Sequence, residues 1–278
     1  MNYYGTLNTI VDDAFLYYWV KLLKKFKITK LFSYETQLIL QALPRPHYAY
    51  CIYNAAVLAK KLNEPKISIV EFGVAGGNGL KNIEFHAKHI EQLVGIKIEV
   101  YGFDNAEGLP KPSDYRDLPY LWQEGFYAMD QEKLKSQLTR SKLVLGNVSD
   151  TLSNWLEKGE HAKVGAVMFD LDYYSSTMVA FDIFRSRPEM CLPRVFCYMD
   201  DIIGDALALC NDFTGVLKAI TEFNEESEDY KLGKVQHLTG PNDFGWYRQI
   251  YGCHLFNHPR YTDFISQDNQ QLPLKKRL

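Results

Sequence analysis

Four aspartates at the ends of two apolar runs are the side chains of this sequence best suited to hold a cation. Asp170 and Asp172 follow one run, and Asp200 and Asp201 follow the next. If the four carboxylates converge, they repel one another strongly unless a cation or protons intervene. Oxygen ligands suit a hard ion, Mg²⁺ or Ca²⁺, and Mg²⁺ keeps water or substrate oxygens among its ligands. The alternative is that Asp172 and Asp201 cap the helices that follow them.

A glycine-rich turn is the second feature with chemical potential. It follows an apolar strand and has the pattern Glu71-x-Gly73-x-x-Gly76-Gly77-x-Gly79. The missing Cβ atoms permit positive φ angles and let main-chain N–H groups approach a ligand closely. The helix after the turn offers its N-terminus to the same ligand. The pattern favours a nucleotide-like ligand, although similar turns also simply join strands to helices.

Asp104 supports the ligand-binding interpretation of the turn. It ends the next strand, where an acidic side chain can accept both hydroxyls of a ribose. Its alternative role is that of a turn or helix cap. The glycines do not follow the Gly-x-Gly-x-x-Gly pattern, and the acid stands further from them than in the usual dinucleotide fingerprint. An adenosine ligand other than NAD is therefore favoured.

Strands and helices alternate after residue 66, and these elements must position the candidate residues. The predicted strands are 67–72, 96–103, 142–145, 164–169 and 194–199, and the predicted helices are 78–94, 151–157, 177–184 and 206–223. This alternation predicts an α/β fold with a doubly wound, mostly parallel sheet covered on both faces. The acids and the glycine turn then share the carboxyl edge of that sheet. Two last runs, 234–238 and 246–251, predict an antiparallel C-terminal hairpin.

The first sixty residues are predicted to be helical. One helix would begin at Asp12-Asp13, and another would cover 47–62. We therefore expect an N-terminal helical extension over residues 1–62, acting as an interface or lid, and a main domain over residues 63–278. The lysine-rich first helix could lie on an anionic membrane. Docking on its own domain or on a twin subunit is the simpler interpretation.

Composition sets broad limits on the protein class. The 278 residues are 46% hydrophobic, enough for a full core, and the formal charge of −3 gives no reason to expect nucleic acid as a partner. The five cysteines form no CxxC pair, which is typical of reduced thiols. No segment has the apolar length that spans a bilayer. We therefore expect a cytoplasmic protein.

Several motifs in a fixed order resemble a known family. They are Val70-Glu71-Phe72-Gly73-Val74, Gly102-Phe103-Asp104, Glu107-Gly108-Leu109-Pro110, Asp170-x-Asp172-x-Tyr174-x-Ser176-Thr177 and Asp200-Asp201. Together they resemble the macrocin-type sugar O-methyltransferases over roughly residues 66 to 255. That family consists of class I enzymes that depend on S-adenosylmethionine and Mg²⁺ and act on sugar hydroxyls of antibiotics and related glycosides.

The resemblance implies roles for the matching residues. The main domain would be the methyltransferase domain, with Asp170, Asp200 and Asp201 as Mg²⁺ ligands and Asp172 as the general base. Asp104 would take the ribose hydroxyls. The residues implied in cofactor binding are Glu71, Gly73, Val74, Gly76, Gly77, Asn78, Asp104, Asn147, Val148 and Asp170.

The leading hypothesis is a Mg²⁺-assisted O-methyltransferase acting on a sugar or another vicinal diol. Its expected partners are a small hydroxylated acceptor and further copies of the chain. One alternative keeps the cofactor without the metal and methylates nitrogen or a lone hydroxyl. Another is a non-catalytic adenosyl-binding scaffold. Residues 105–125 would form either a cover over the active site or a plain surface loop.

Overall fold

The computed structural model describes residues 14–238 and 245–266. The predicted helix start at Asp12-Asp13 lies outside these residues, and the first described helix, α1, spans Ala14–Lys25. Within the two described ranges, no helix combines the length and the hydrophobicity that crossing a bilayer requires.

A seven-stranded sheet forms the centre of the molecule. Its strands are β1 (Lys66–Phe72), β2 (Lys97–Asp104), β3 (Lys142–Leu145), β4 (Val164–Phe169), β5 (Cys191–Met199), β6 (Tyr230–Lys234) and β7 (Ile250–Leu255). Their order is β3-β2-β1-β4-β5-β7-β6. The first five strands of this order pair in parallel, whereas β7 is antiparallel to both β5 and β6. The predicted doubly wound, mostly parallel sheet with an antiparallel C-terminal pair is confirmed.

Helices cover both faces of the sheet. The remaining helices are α2 (Tyr34–Ile39), α3 (Pro46–Lys61), α4 (Asn78–Val94), α5 (Gln131–Gln137), α6 (Val148–Lys158), α7 (Tyr174–Ala180), α8 (Asp182–Arg185) and α9 (Gly215–Glu226). Because side chains alternate along a strand, Ile67 and Ile69 of β1 pack with α3 and α4, while Val70 and Phe72 pack with α6 to α9. Burial on both faces explains the nearly continuous apolar run of β1.

Helix α3 belongs to the predicted N-terminal extension but lies within the core. Its residues Tyr48, Ala55 and Ala59 are buried in the same cluster as β1 and α4. The extension therefore contributes structure to the sheet domain from at least residue 46 onward. The division of the chain at residue 62 stays a prediction.

The predicted helix over 206–223 is wrong in its first half. Helix α9 begins only at Gly215, and Leu209 and Phe213 are exposed instead of buried. The side chain of Asp205 accepts hydrogen bonds from the backbone of residues 207 and 208, and Asn211 accepts one from Phe213 N. These local turns satisfy the backbone in place of helical bonds, a competition that apolar periodicity does not reveal.

Two further boundaries differ from the prediction. The helix predicted over 177–184 is two short helices, α7 and α8, separated at Phe181. The C-terminal strands pair as predicted, but they occupy 230–234 and 250–255. Asn224 anchors the earlier start of β6, because its side-chain oxygen accepts a hydrogen bond from Leu232 N at 2.7 Å.

Candidate functional site

A cavity of about 740 Å³ opens at the carboxyl ends of β1, β2, β4 and β5. This is the edge of the sheet where sequence reasoning places the glycine turn and the acids. The predicted site residues that line the cavity are Glu71, Gly73, Val74, Gly76, Asn78, Asp104, Asn147, Val148, Asp170, Asp172, Asp200 and Asp201. Gly77 faces away, since a Cβ on it would lie 2.1 Å from Leu134 Cδ1.

The glycine turn is needed because two strand ends meet there. Gly73 has a φ of 83°, and a Cβ on it would lie 1.6 Å from the carbonyl oxygen of Asp170. A Cβ on Gly79 would lie 1.9 Å from Glu71 Oε1. The glycines thus let β1 approach β4 and leave room for a carboxylate below the turn.

Glu71 presents a buried oxygen without a partner. Its Oε1 accepts a hydrogen bond from the Tyr48 hydroxyl at 2.9 Å, while its Oε2 has no hydrogen-bond partner among the described residues. Burial, together with the nearby Asp170 carboxylate, raises the pKa of Glu71 to about 8. An unsatisfied buried acid on a cavity wall is costly. A cationic ligand group such as an ammonium would relieve that cost.

Asp104 joins the end of β2 to the glycine turn. Its Oδ2 accepts hydrogen bonds from Val74 N and Ala75 N, both at 2.8 Å, and its Oδ1 accepts one from Ala106 N at 2.6 Å. Asp104 therefore stabilises a turn, which is the role that the sequence analysis gives as the alternative to ribose binding. The carboxylate also lines the cavity, so the ribose-binding role stays a prediction.

Three of the aspartates form a cluster with the geometry of a cation site. Asp170, Asp200 and Asp201 each offer an oxygen, and these atoms lie within 4.8 Å of one another. Asp200 is held by its neighbours, because the Tyr198 hydroxyl donates to its Oδ1 and Gln249 Nε2 donates to its backbone carbonyl at 2.7 Å. Oxygen-only ligands suit a hard cation such as Mg²⁺ or Ca²⁺.

Asp172 reaches the cavity because the chain bends after β4. It has a φ of 58°, unusual for a residue with a side chain, and its backbone N–H donates to Asp201 Oδ2 at 2.9 Å. The alternative of helix capping fails for both acids. The residue that caps α7 is Tyr173, which makes no side-chain cap hydrogen bond, and Asp201 is far along the chain from the start of α9.

Burial, and after it mutual repulsion, sets the electrostatics of these acids. Burial raises the pKa of Asp170 and Asp172, and each is raised further by neighbouring carboxylates. The pKa of Asp201 is also raised, by burial and then by Asp172 and Asp200. The cluster therefore holds protons more tightly than isolated acids do, and a divalent cation would take their place.

Arg45 is a cavity residue that sequence reasoning missed. It precedes the first residue of α3 in a left-handed conformation with φ 42°, and its guanidinium carbon lies 5.0 Å from the centre of the Tyr48 ring. Its one sequence signal is a position between two prolines, Pro44 and Pro46. That signal predicts a helix boundary and gives no indication of a site.

The loop after β2 forms one wall of the cavity. We call residues 105–127 the cover loop. It closes on itself through hydrogen bonds from Leu109 N to Phe126 O, 2.7 Å, and from Gly125 N to Leu109 O, 2.8 Å. Trp122 and Tyr127 line the cavity, and the indole N–H of Trp122 has no partner in the described part of the chain. Of the two predicted roles, the loop's position fits the cover.

Comparison with known proteins identifies the fold. No protein-family model matches the sequence, and the search of curated proteins found no match. Among solved structures, the O-methyltransferase NovP is 15% identical, with 75% of this chain and 79% of that chain covered and a TM-score of 0.50. The calicheamicin methyltransferase CalS11 is 20% identical, with 67% and 79% covered and a TM-score of 0.42. The chain has the class I methyltransferase fold.

Proposed function

We propose that this protein is an S-adenosylmethionine-dependent O-methyltransferase that methylates a hydroxyl of a sugar or another vicinal diol with the help of Mg²⁺. One observation carries the proposal. A single cavity is walled on one side by the glycine turn with Glu71 and on the other by the aspartate cluster. A methyl donor and a metal-held acceptor would therefore meet in one space.

The residues of the first wall fit the cofactor. The unpartnered Oε2 of Glu71 would accept the ammonium of the methionine part. Asp104 lies where the ribose would follow, and Asn147 and Val148, at the start of α6, would lie beside the adenine. The order of these groups along the cavity follows the order of the strands from β1 through β2 to β3.

The residues of the second wall fit a metal-assisted acceptor site. Asp170, Asp200 and Asp201 would hold the ion, which lowers the pKa of an alcohol bound to it. Asp172 lies against Asp201 and lines the same cavity, so it would receive the hydroxyl proton as the oxygen attacks the methyl carbon and the sulfur leaves. Alignment of donor and acceptor supplies much of the rate.

The proposed function is tested by methyl transfer from labelled S-adenosylmethionine to a panel of glycosides with vicinal diols. We expect turnover with Mg²⁺ and its loss with EDTA. Asp172→Asn should lower turnover by about 10²–10⁴-fold while the affinity for S-adenosylhomocysteine stays unchanged. Asp229→Asn, at an exposed acid outside the cavity, is the matched control.

Three results would contradict parts of the proposal. Activity that survives EDTA would contradict the role of the metal and would favour the metal-independent methyltransferase. Full activity of Asp172→Asn removes that residue from the role of base. Cofactor binding without turnover on any acceptor favours the adenosyl-binding scaffold.

A further inference from the structure

Arg45 combines three properties that its local structure does not explain. Arg45 lines the cavity. Its side chain makes no hydrogen bond or ion pair with any residue that the structure describes, apart from its position over the Tyr48 ring, and only its backbone carbonyl accepts hydrogen bonds, from Tyr48 N and Ala49 N. It also occupies the N-cap position of α3 in a left-handed conformation and gives the helix no side-chain cap.

The conformation of Arg45 is unfavourable for an arginine. Left-handed φ values favour glycine or asparagine, and N-cap positions favour small polar side chains that bond to the helix. Backbone strain of this kind persists where the surrounding structure enforces it, and such sites often serve function. Here the strained backbone directs a cation into a cavity that is otherwise rich in acids.

Tyr48 links Arg45 to Glu71, the acid of the glycine turn whose Oε2 has no partner among the described residues. The ring of Tyr48 lies 5.0 Å from the guanidinium carbon, and its hydroxyl donates to Glu71 Oε1 at 2.9 Å. One buried side chain therefore holds a cation over its face and an anion at its edge. Burial lowers the pKa of Arg45, but the neighbouring Tyr48, Glu71 and Asp170 raise it by more, so the guanidinium stays charged.

We infer that Arg45 and Glu71 together recognise the zwitterionic amino-acid end of the cofactor, with Glu71 binding its ammonium and Arg45 its carboxylate. This inference rests on the proposed function. A planar guanidinium matches the geometry of a carboxylate and can bind it through two parallel hydrogen bonds. Among the described residues that line the cavity, Arg45 is the one with a cationic side chain, so it is the group that can neutralise the ligand's carboxylate.

The test compares two ligands that differ only in the carboxylate. S-adenosylhomocysteine carries it, and its decarboxylated analogue, 5′-deoxy-5′-(3-aminopropylthio)adenosine, retains the ammonium and the adenosine. Calorimetry with Mg²⁺ present gives the Kd of each for the full chain. We expect the wild type to bind S-adenosylhomocysteine about 10–100-fold more tightly than the analogue, in line with charge-assisted hydrogen bonds.

Substitution of Arg45 should abolish this preference. In Arg45→Gln, S-adenosylhomocysteine should lose the 10–100-fold advantage, whereas the Kd of the analogue should stay unchanged. Arg45→Lys keeps the positive charge but loses the planar pair of N–H donors, so it should retain part of the preference for S-adenosylhomocysteine. Arg187→Gln removes an arginine whose ion pair with Glu189 is outside the cavity and should match the wild type.

The following results would contradict either the role of Arg45 or the proposed function. Equal binding of both ligands by the wild type refutes carboxylate recognition without any mutation. If Arg45→Gln weakens both ligands equally, Arg45 has a structural role and the inference fails. If the wild type binds neither ligand, the proposed function itself fails.

Discussion

Gly73 allows the ends of β1 and β4 to approach closely at the cavity. A Cβ there would penetrate the carbonyl of Asp170, and its φ of 83° is unfavourable for other residues. We expect Gly73→Ala to lower the free energy of unfolding by about 3 kcal/mol or more, because backbone atoms must move to relieve the overlap. Urea unfolding monitored by circular dichroism measures this change.

Gly76→Ala provides the matched control in the same turn. Gly76 has no positive φ, and a Cβ on it would meet nothing within 4 Å. Its replacement should change the free energy of unfolding by less than about 1 kcal/mol. Equal effects of the two substitutions would show that the close approach of β1 to β4 does not require glycine at residue 73.

At the residue scale, the sequence is informative where chemistry and strand position coincide. Glu71, Asp104 and the aspartates each follow a strand, so their meeting at one edge follows from the topology. Arg45 and Tyr48 were missed because they come from the start of a helix outside the alternating pattern. The position of Arg45 on the cavity and of Tyr48 behind Glu71 depends on how α3 packs across the sheet, and no local spacing encodes that packing.

Glu84 connects helix α4 to the segment before β3, the strand at one edge of the sheet. This buried residue of α4 accepts hydrogen bonds from the backbone N–H groups of Thr139, Arg140 and Ser141, just before β3. Burial opposes ionisation, but these bonds and two hydroxyl donors outweigh it and lower the pKa of Glu84 to about 2. The carboxylate thus fixes the start of β3 to α4.

The lowered pKa gives a prediction with a defined direction. Because the folded pKa of about 2 is below the ordinary value of 4.5, the contribution of Glu84 is fully present above pH 4.5 and declines as the pH falls toward 2. Glu84→Gln should lower the free energy of unfolding at pH 7 by about 2 kcal/mol. The difference from the wild type should shrink between pH 4.5 and pH 2.

Glu132→Gln is the control for this pH series. Glu132 stands on α5 with its side chain 92% exposed, in a weak pair with Lys135. Its replacement should leave stability close to that of the wild type at every pH. A difference between wild type and Glu84→Gln that stays constant down to pH 2 would contradict the role of the charged carboxylate.

At the element scale, apolar patterns predicted the strands and most helices but not their interruptions. Strands β1 and β4 are short continuous apolar runs that both faces of the sheet bury, so their positions were clear. The start of α9 was not predicted correctly, because Asp205 and Asn211 form turns in a segment whose apolar spacing is typical of a helix. Polar residues that bond to nearby backbone decide such boundaries.

For the whole molecule, the cavity lies where the winding of the sheet reverses. The chain starts the sheet at β1, proceeds to β3 at one edge, and then returns to β4 on the other side of β1. Connections diverge at this point, which leaves a crevice outside the strand ends. The aspartate cluster lies in the crevice at the ends of β4 and β5, so an ion bound there would hold these two strand ends together.

Mg²⁺ should therefore raise the stability of the entire fold. At a concentration 100 times its Kd, an ion that binds only the folded state adds about 2.7 kcal/mol to the free energy of unfolding. We expect differential scanning calorimetry to show a higher Tm with Mg²⁺ than with EDTA. In Asp201→Asn the response should be lost, and without Mg²⁺ this variant should be at least as stable as the wild type, because one of several mutually repelling acids is removed.

Asp229→Asn should keep the full Mg²⁺ response, since this acid is exposed and outside the cluster. A Tm that is the same with Mg²⁺ and with EDTA would mean that the three carboxylates bind no ion in the folded protein.

The base of the cover loop is closed by its own backbone hydrogen bonds, whereas its middle is tied to α7 through Asp117, which accepts hydrogen bonds from Ser175 N and Ser175 Oγ. Backbone bonds join Leu109 to both Gly125 and Phe126, so the chain leaves and re-enters this wall at nearly one point. Insertions or exchanges between these residues need not disturb the register of β2 or β3. Under the proposed function, evolution or a designer could exchange the parts of this loop that do not include Asp117, and such changes would alter which acceptors enter the cavity while β2 and β3 keep their register.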